Sequence, residues 1–124
     1  VGGAFLLSLG LANPPYPREP IRVIMTEAVY QSAPLASPFS LEITTHFTIT
    51  DSFGSGRTVI LPDVLTLTIY NDQTYHLTLP NGVDRRRVGF PHLRRGGINQ
   101  VRIDHSATQG LVVYINEEVL FRSR

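Results

Sequence analysis

The chain has 124 residues, 42% of them hydrophobic, with a formal net charge of +1 and no cysteine. That length supports one hydrophobic core rather than two, and the balanced charge gives no global pull toward nucleic acid or acidic membranes. Without thiols there are no disulfides, thiolate metal ligands or cysteine nucleophiles.

Val1 to Ala12 is an apolar head that is similar to the core of a secretory signal, with small residues Gly10 and Ala12 at its end but no basic start. Ala4–Leu9 is expected as a first core strand. The alternative is an assembly arm, in which Phe5, Leu6, Leu7, Leu9 and Leu11 pack into a neighbouring subunit by strand addition. The head is too short to cross a bilayer as a helix, which takes about 20 residues. Asn13 to Pro20 carries Pro14, Pro15, Pro17 and Pro20, which exclude helix and central strand and leave a stiff extended connector. Residues 1–20 therefore read as an arm ahead of a single domain, 21–124.

Ile21, Val23 and Met25 alternate as a strand, and Tyr30–Phe39, with Pro34 and Pro38, reads as a loop. Leu41–Thr50 predicts a long strand with Leu41, Ile43, Phe47 and Ile49 inward, Thr45 the only polar residue among them, and Glu42, Thr44 and His46 outward. After the turn-rich 51–56, Thr58–Leu61 is a short strand. Val64–Tyr70 and Thr74–Leu79 form a hairpin with Leu65, Leu67, Ile69, Tyr75, Leu77 and Leu79 inward.

Val83–Gly97 breaks the alternation and sets Arg85, Arg86, Arg87, Arg94 and Arg95 against Asp84, a local charge of +4. It is expected to be a surface loop with its guanidinium groups in water. From Ile98 to Arg124 three strands follow: Val101, Ile103 and His105 inward on the first, Leu111, Val113 and Ile115 on the second, Val119 and Phe121 on the third. Eight or nine short strands with no helical period predict an all-β, two-layer antiparallel β-sandwich, jelly-roll or concanavalin-like, with an immunoglobulin-like sandwich as the alternative.

INQVRIDHSATQGLVVYINEEVLFRS resembles the strand, turn, strand and hairpin passage of laminin-G-like and other concanavalin A-like sandwiches, where a "xxVRI, polar turn, LxVYVNGxxV" pattern recurs. LTLTIYNDQTYHLTLPNG resembles the hairpin that precedes it, so the resemblance covers residues 64–122. It implies a binding or adhesion module with a carbohydrate or protein ligand, and it transfers no calcium ligand. Where the pattern has glycine after the hairpin asparagine, this chain has Glu117, which needs either a longer turn or a strained backbone.

Candidate chemistry is sparse. Asp104, His105 and Ser106 are consecutive on a strand, so Asp104 and His105 point to opposite faces and form no relay; His105 is expected at a strand end, packed or hydrogen-bonded. Glu117 and Glu118 read as a solvated turn. His46 and His76 lie among threonines on outer faces, and would share a metal only if their strands were neighbours. Paired guanidinium groups suit sulfate, phosphate and carboxylate, so Arg85, Arg86, Arg87, His92, Arg94 and Arg95, with His46 and His76, are the expected binding contacts.

The leading expectation is a non-enzymatic extracellular or cell-surface module that recognises a carbohydrate or protein surface, with no metal and no cofactor. The alternative is a structural subunit of a filament, fibre or shell that self-associates through its arm. Nucleic acid and membrane are not the expected partners.

Overall fold

Period-two alternation becomes ten strands and no helix in the computed structural model, which describes residues 19–123. They are β1 (Ile21–Ile24), β2 (Val29–Gln31), β3 (Phe39–His46), β4 (Gly56–Leu61), β5 (Leu65–Tyr70), β6 (Thr74–Thr78), β7 (Asp84–Gly89), β8 (Ile98–Ser106), β9 (Gly110–Ile115) and β10 (Glu118–Ser123). Sheet A has the order β1-β3-β8-β9-β10, and sheet B the order β2-β4-β5-β6-β7. The two sheets form a two-layer sandwich. The apolar arm, with Phe5, Leu6, Leu7, Leu9 and Leu11, lies outside the described residues.

The inner faces consist of cross-strand apolar rows. In sheet A, Leu41, Ile103, Val113 and Phe121 form one row, and Ile43, Val101 and Ile115 another. In sheet B, Val59, Leu67 and Leu77 face them. All ten are buried, and each contributes roughly 1.5–3 kcal/mol by leaving water. Thr45, the one polar side chain expected on the inner face of its strand, is buried, and its Oγ1 has no hydrogen-bond partner.

The sheets are mixed rather than purely antiparallel. β1 runs parallel to β3, and β2 parallel to β4, so the first strand of each sheet is a parallel edge. β2 also takes Tyr30 and Gln31 from the expected loop; three residues are too few for alternation to register.

Three further expectations are corrected. β3 stops at His46, because Thr48–Asp51 closes a turn through the Asp51 N–H to Thr48 O bond of 3.1 Å, and Ile49 is 94% exposed instead of inward. A bulge between Val119 and Phe121 inserts Leu120 into β10, which turns Val119 outward and buries Leu120 beside Phe121. Finally, Arg85, Arg86 and Arg87 are not in a loop: β7 pairs with β6 at the edge of sheet B, with its own register shift near Arg87, whose φ is 49°.

The β9–β10 hairpin turns on two residues, Asn116 at φ 51° and Glu117 at φ 72°. Both central residues at positive φ make the tight hairpin geometry that favours glycine at the second place, so Glu117 carries backbone strain. Replacing it with glycine, Glu117→Gly, is expected to stabilise the fold by about 0.5–1 kcal/mol, read as a higher urea midpoint at unchanged slope.

Candidate functional site

A polar depression of about 410 Å³ lies on the outer face of sheet A and is lined by Glu42, Gln100, Arg102, Asp104, Tyr114 and Glu117. Register places them. Glu42 on β3, Arg102 on β8 and Tyr114 on β9 are directly opposite one another and form a single cross-strand row. One row down, Asp104 is opposite Ser40, and one row up is Gln100. Because β3, β8 and β9 are the three inner strands of the sheet, the backbone beneath these side chains is paired on both sides.

Asp104 is the fixed point. Although it is on the outer face it is only 2% exposed. Its Oδ1 accepts a 2.6 Å bond from Ser40 Oγ, and the Arg102 Nε donates to both carboxylate oxygens at 3.1 and 3.2 Å. A buried carboxylate held this way orients the guanidinium, and charge-assisted bonds of this kind are roughly twice as strong as neutral ones. On the other side of the row, Arg22 Nε donates to Glu42 Oε1 at 3.2 Å.

Asp104, His105 and Ser106 do not converge. His105 stacks on Phe39 at 5.7 Å between centroids, with Nδ1 2.8 Å from Ser37 Oγ, and Ser106 Oγ accepts the Gln109 N–H at 3.0 Å. His46 and His76 lie in different sheets, on β3 and β6, and cannot face each other as a metal pair. Among the described residues no cluster of three acidic or histidine side chains could hold a metal.

The arginines expected to bind partners mostly have internal ones. Arg85, although exposed, lies with its guanidinium 4.8 Å from the Phe121 ring centre of β10 and 3.4 Å from the Tyr75 hydroxyl, and so bridges the two sheets at the β7 edge. Arg86 donates to Asp84 at 2.9 Å, and His76 Nε2 is 2.8 Å from the same carboxyl. Arg87 lies 3.8 Å over the Tyr70 ring and donates to Asp72 at 3.0 Å.

Residues 90–97 connect β7 to β8 with little backbone pairing of their own, yet side-chain amides hold them. Asn99, fully buried, accepts the Arg94 N–H at 2.8 Å and donates to Arg94 O at 3.0 Å. Asn71 accepts the Gly96 N–H, Gln73 donates to Leu93 O, and Asn116 donates to His92 O and to Asn99 Oδ1. His92, Arg94 and Arg95 are therefore displayed from a fixed backbone at one end of the sandwich, with the His92 Nε2 3.7 Å from Glu118.

The sequence reading missed the sheet A row. Its members are separated by up to 72 positions, from Glu42 to Tyr114, and each alone looks like an ordinary outward residue. The Arg102-x-Asp104 spacing was the only local signal, since residues two apart share a face.

Asn99→Ala removes the partner of the Arg94 N–H and carbonyl in a partly buried site. It is expected to lower stability by about 1–2 kcal/mol, with faster amide exchange through 90–97. A second prediction concerns acid. The Thr48 backbone N–H and the Arg57 guanidinium hold Asp51 below its ordinary 3.8; the Thr74 hydroxyl and Arg87 do the same for Asp72, and His76 and Arg86 for Asp84. A depressed folded pKa gives stability that is complete above the unfolded value and lost as pH falls through the folded one. Urea titrations should show a plateau down to about pH 4 and a decline below it, shallower in Asp51→Asn and Asp72→Asn. No protein-family model matches the chain, and neither a curated protein nor a solved structure resembles it closely enough to count as a relative.

Proposed function

We propose that the protein is a non-enzymatic extracellular binding or adhesion module that recognises a carbohydrate through the outer face of sheet A. The observation that carries this reading is the row of Glu42, Arg102 and Tyr114 above the buried Asp104. Sugars present vicinal hydroxyls that both donate and accept. A carboxylate, a guanidinium and the Gln100 amide, fixed on neighbouring strands, offer matching acceptors and donors at strand spacing. Tyr114 adds an aromatic body beside its hydroxyl, a combination that suits a ligand with one apolar face.

The same geometry favours binding over catalysis. Both oxygens of Asp104 are engaged by Ser40 and Arg102, so it holds its neighbours in place and has no oxygen to spare as a base. Arg85, Arg86 and Arg87 serve the β7 edge, which shifts the expected contact from that cluster to sheet A.

A second reading, a structural subunit in a larger assembly, draws on a different surface. The two parallel edges lie next to the start of the domain, and Ile21, Ile24 and Val29 are exposed there, Ile24 by 76%. Removing residues 1–18 separates the two: an assembly subunit would become monomeric, while a carbohydrate module would keep its ligand.

A glycan array followed by calorimetry on the strongest hit tests the first reading. Tyr114→Ala and Gln100→Ala should each weaken binding by about tenfold, while Arg86→Ser leaves it unchanged. Absence of any bound glycan, or affinity indifferent to both sheet A changes, would sink the proposal.

A further inference from the structure

The end of the sandwich that carries residues 90–97 also carries two consecutive tight turns, 48–51 and 52–55. Each is closed by a backbone bond, Asp51 N–H to Thr48 O and Ser55 N–H to Ser52 O, both 3.1 Å. Each puts a large apolar residue at its second position. Ile49 is 94% exposed and Phe53 61% exposed, and Ile98, where β8 leaves the adjoining segment, is 54% exposed. Single exposed apolar residues are ordinary, but an apolar group gathered at one end marks an interaction surface.

The turns are built to hold these side chains out. Asp51 Oδ2 accepts the Thr48 N–H at 2.7 Å and the Arg57 guanidinium at 3.2 Å. The buried Asn71 donates to the carbonyls of Asp51 and Ser52 at 3.1 and 3.2 Å, and with its other atom accepts the Gly96 N–H. One amide thus ties the tandem turns to the 90–97 segment. Arg95 lies 4.9 Å over the Phe53 ring.

The charges nearest Phe53 and Ile98 are the guanidinium groups of Arg95 and Arg94. Arg94 and Arg95 bond to Ile98 O and Gln73 Oε1, and neither meets a carboxylate among the described residues. Of the acids at this end, Asp51 is turned onto Arg57, Asp72 onto Arg87, Glu118 stands near His92, and Glu27 lines a hollow with His46, Thr48 and Arg57 on the side of the first turn. Glu117 lines the sheet A depression instead.

We propose that this end inserts into the interface of an anionic lipid membrane, with Ile49 and Phe53 entering the headgroup–acyl boundary and Arg94 and Arg95 meeting lipid phosphates and carboxylates. A folded protein partner needs a complementary hollow for each protrusion, whereas a bilayer interface deforms around them. Aromatic and aliphatic side chains flanked by arginine are the composition that interfaces favour. The sequence carries no such pointer, because Ile49 reads as an inward strand residue there.

The test uses the whole chain with vesicles of phosphatidylcholine alone and of phosphatidylcholine with one third phosphatidylserine. Wild type should co-sediment with the mixed vesicles. Ile49→Ser/Phe53→Ser should lower that partition roughly tenfold or more, and Arg94→Ser/Arg95→Ser should erase the preference for phosphatidylserine. The chain has no tryptophan, so a Phe53→Trp variant gives a single reporter whose emission should move to the blue on mixed vesicles. Tyr114→Ala should bind vesicles as wild type does, which keeps this outcome separate from that of the carbohydrate site. Wild type remaining in the supernatant with both vesicle types would overturn the proposal. So would unchanged sedimentation of Ile49→Ser/Phe53→Ser, or a lipid-free dimer that this double variant dissolves.

Discussion

A backbone that leaves a sheet takes its polar groups with it, and inside a close-packed protein each of them must find another partner. At one end of this sandwich the solution is a set of side-chain amides. Asn99, Asn71, Gln73 and Asn116 provide for the 90–97 segment what a neighbouring strand provides elsewhere. An amide can donate and accept at once, so Asn99 bonds to both polar groups of Arg94, and Asn71 spans two loops. The same groups that prevent buried unsatisfied polar atoms also fix the surface above them. Order at this end follows from satisfying hydrogen bonds, and anything that binds there meets a shape already made.

The arginines show how little a local charge count says about availability. Five arginines around one aspartate look like a bare cationic cluster in the linear chain. In three dimensions Asp72 comes to Arg87, the Phe121 ring comes to Arg85, and the Tyr70 ring lies under Arg87. Guanidinium groups are weakly hydrated and planar, which lets them stack on rings while keeping their hydrogen bonds. At β7 they also protect an exposed sheet edge, since charged side chains and a bulge discourage edge-to-edge pairing.

The apolar rows were legible because burial on one face imposes period two. Leu41 and Ile43, Leu65 to Ile69, Val101 and Ile103, and Leu111 to Ile115 are all inside, as their spacing requires. Legibility failed where the backbone changes phase. The turn after His46 sends Ile49 outward, and the extra residue at Leu120 reverses Val119. β7 was hidden for another reason: it is an exposed edge strand, and opposite the buried Leu77 it carries Arg85, whose head stacks on the Phe121 ring where alternation would place an apolar side chain. The candidate site was the least legible part. Glu42, Arg102 and Tyr114 meet only through the pairing register of three strands, and register depends on contacts distant in the chain. Glu117 was read correctly as the place of conflict, and the conflict is resolved by a left-handed backbone.

The two parallel edge strands divide the molecule into parts of unequal durability. Without β1 and β2, what remains is two four-stranded sheets with every pair antiparallel, β4 to β7 as a meander and β3 beside the β8–β10 meander. β1 and β2 each have one ladder partner among the described residues, and residues 21–31 contribute to the core only Met25 and the partly covered Val23 and Tyr30. Tension on the chain ahead of Ile21 would load this thin seam before it reached the antiparallel strands behind it. The N-terminal stretch is thus the part of the domain held by the least burial, set apart from the surfaces on β8, β9 and the tandem turns.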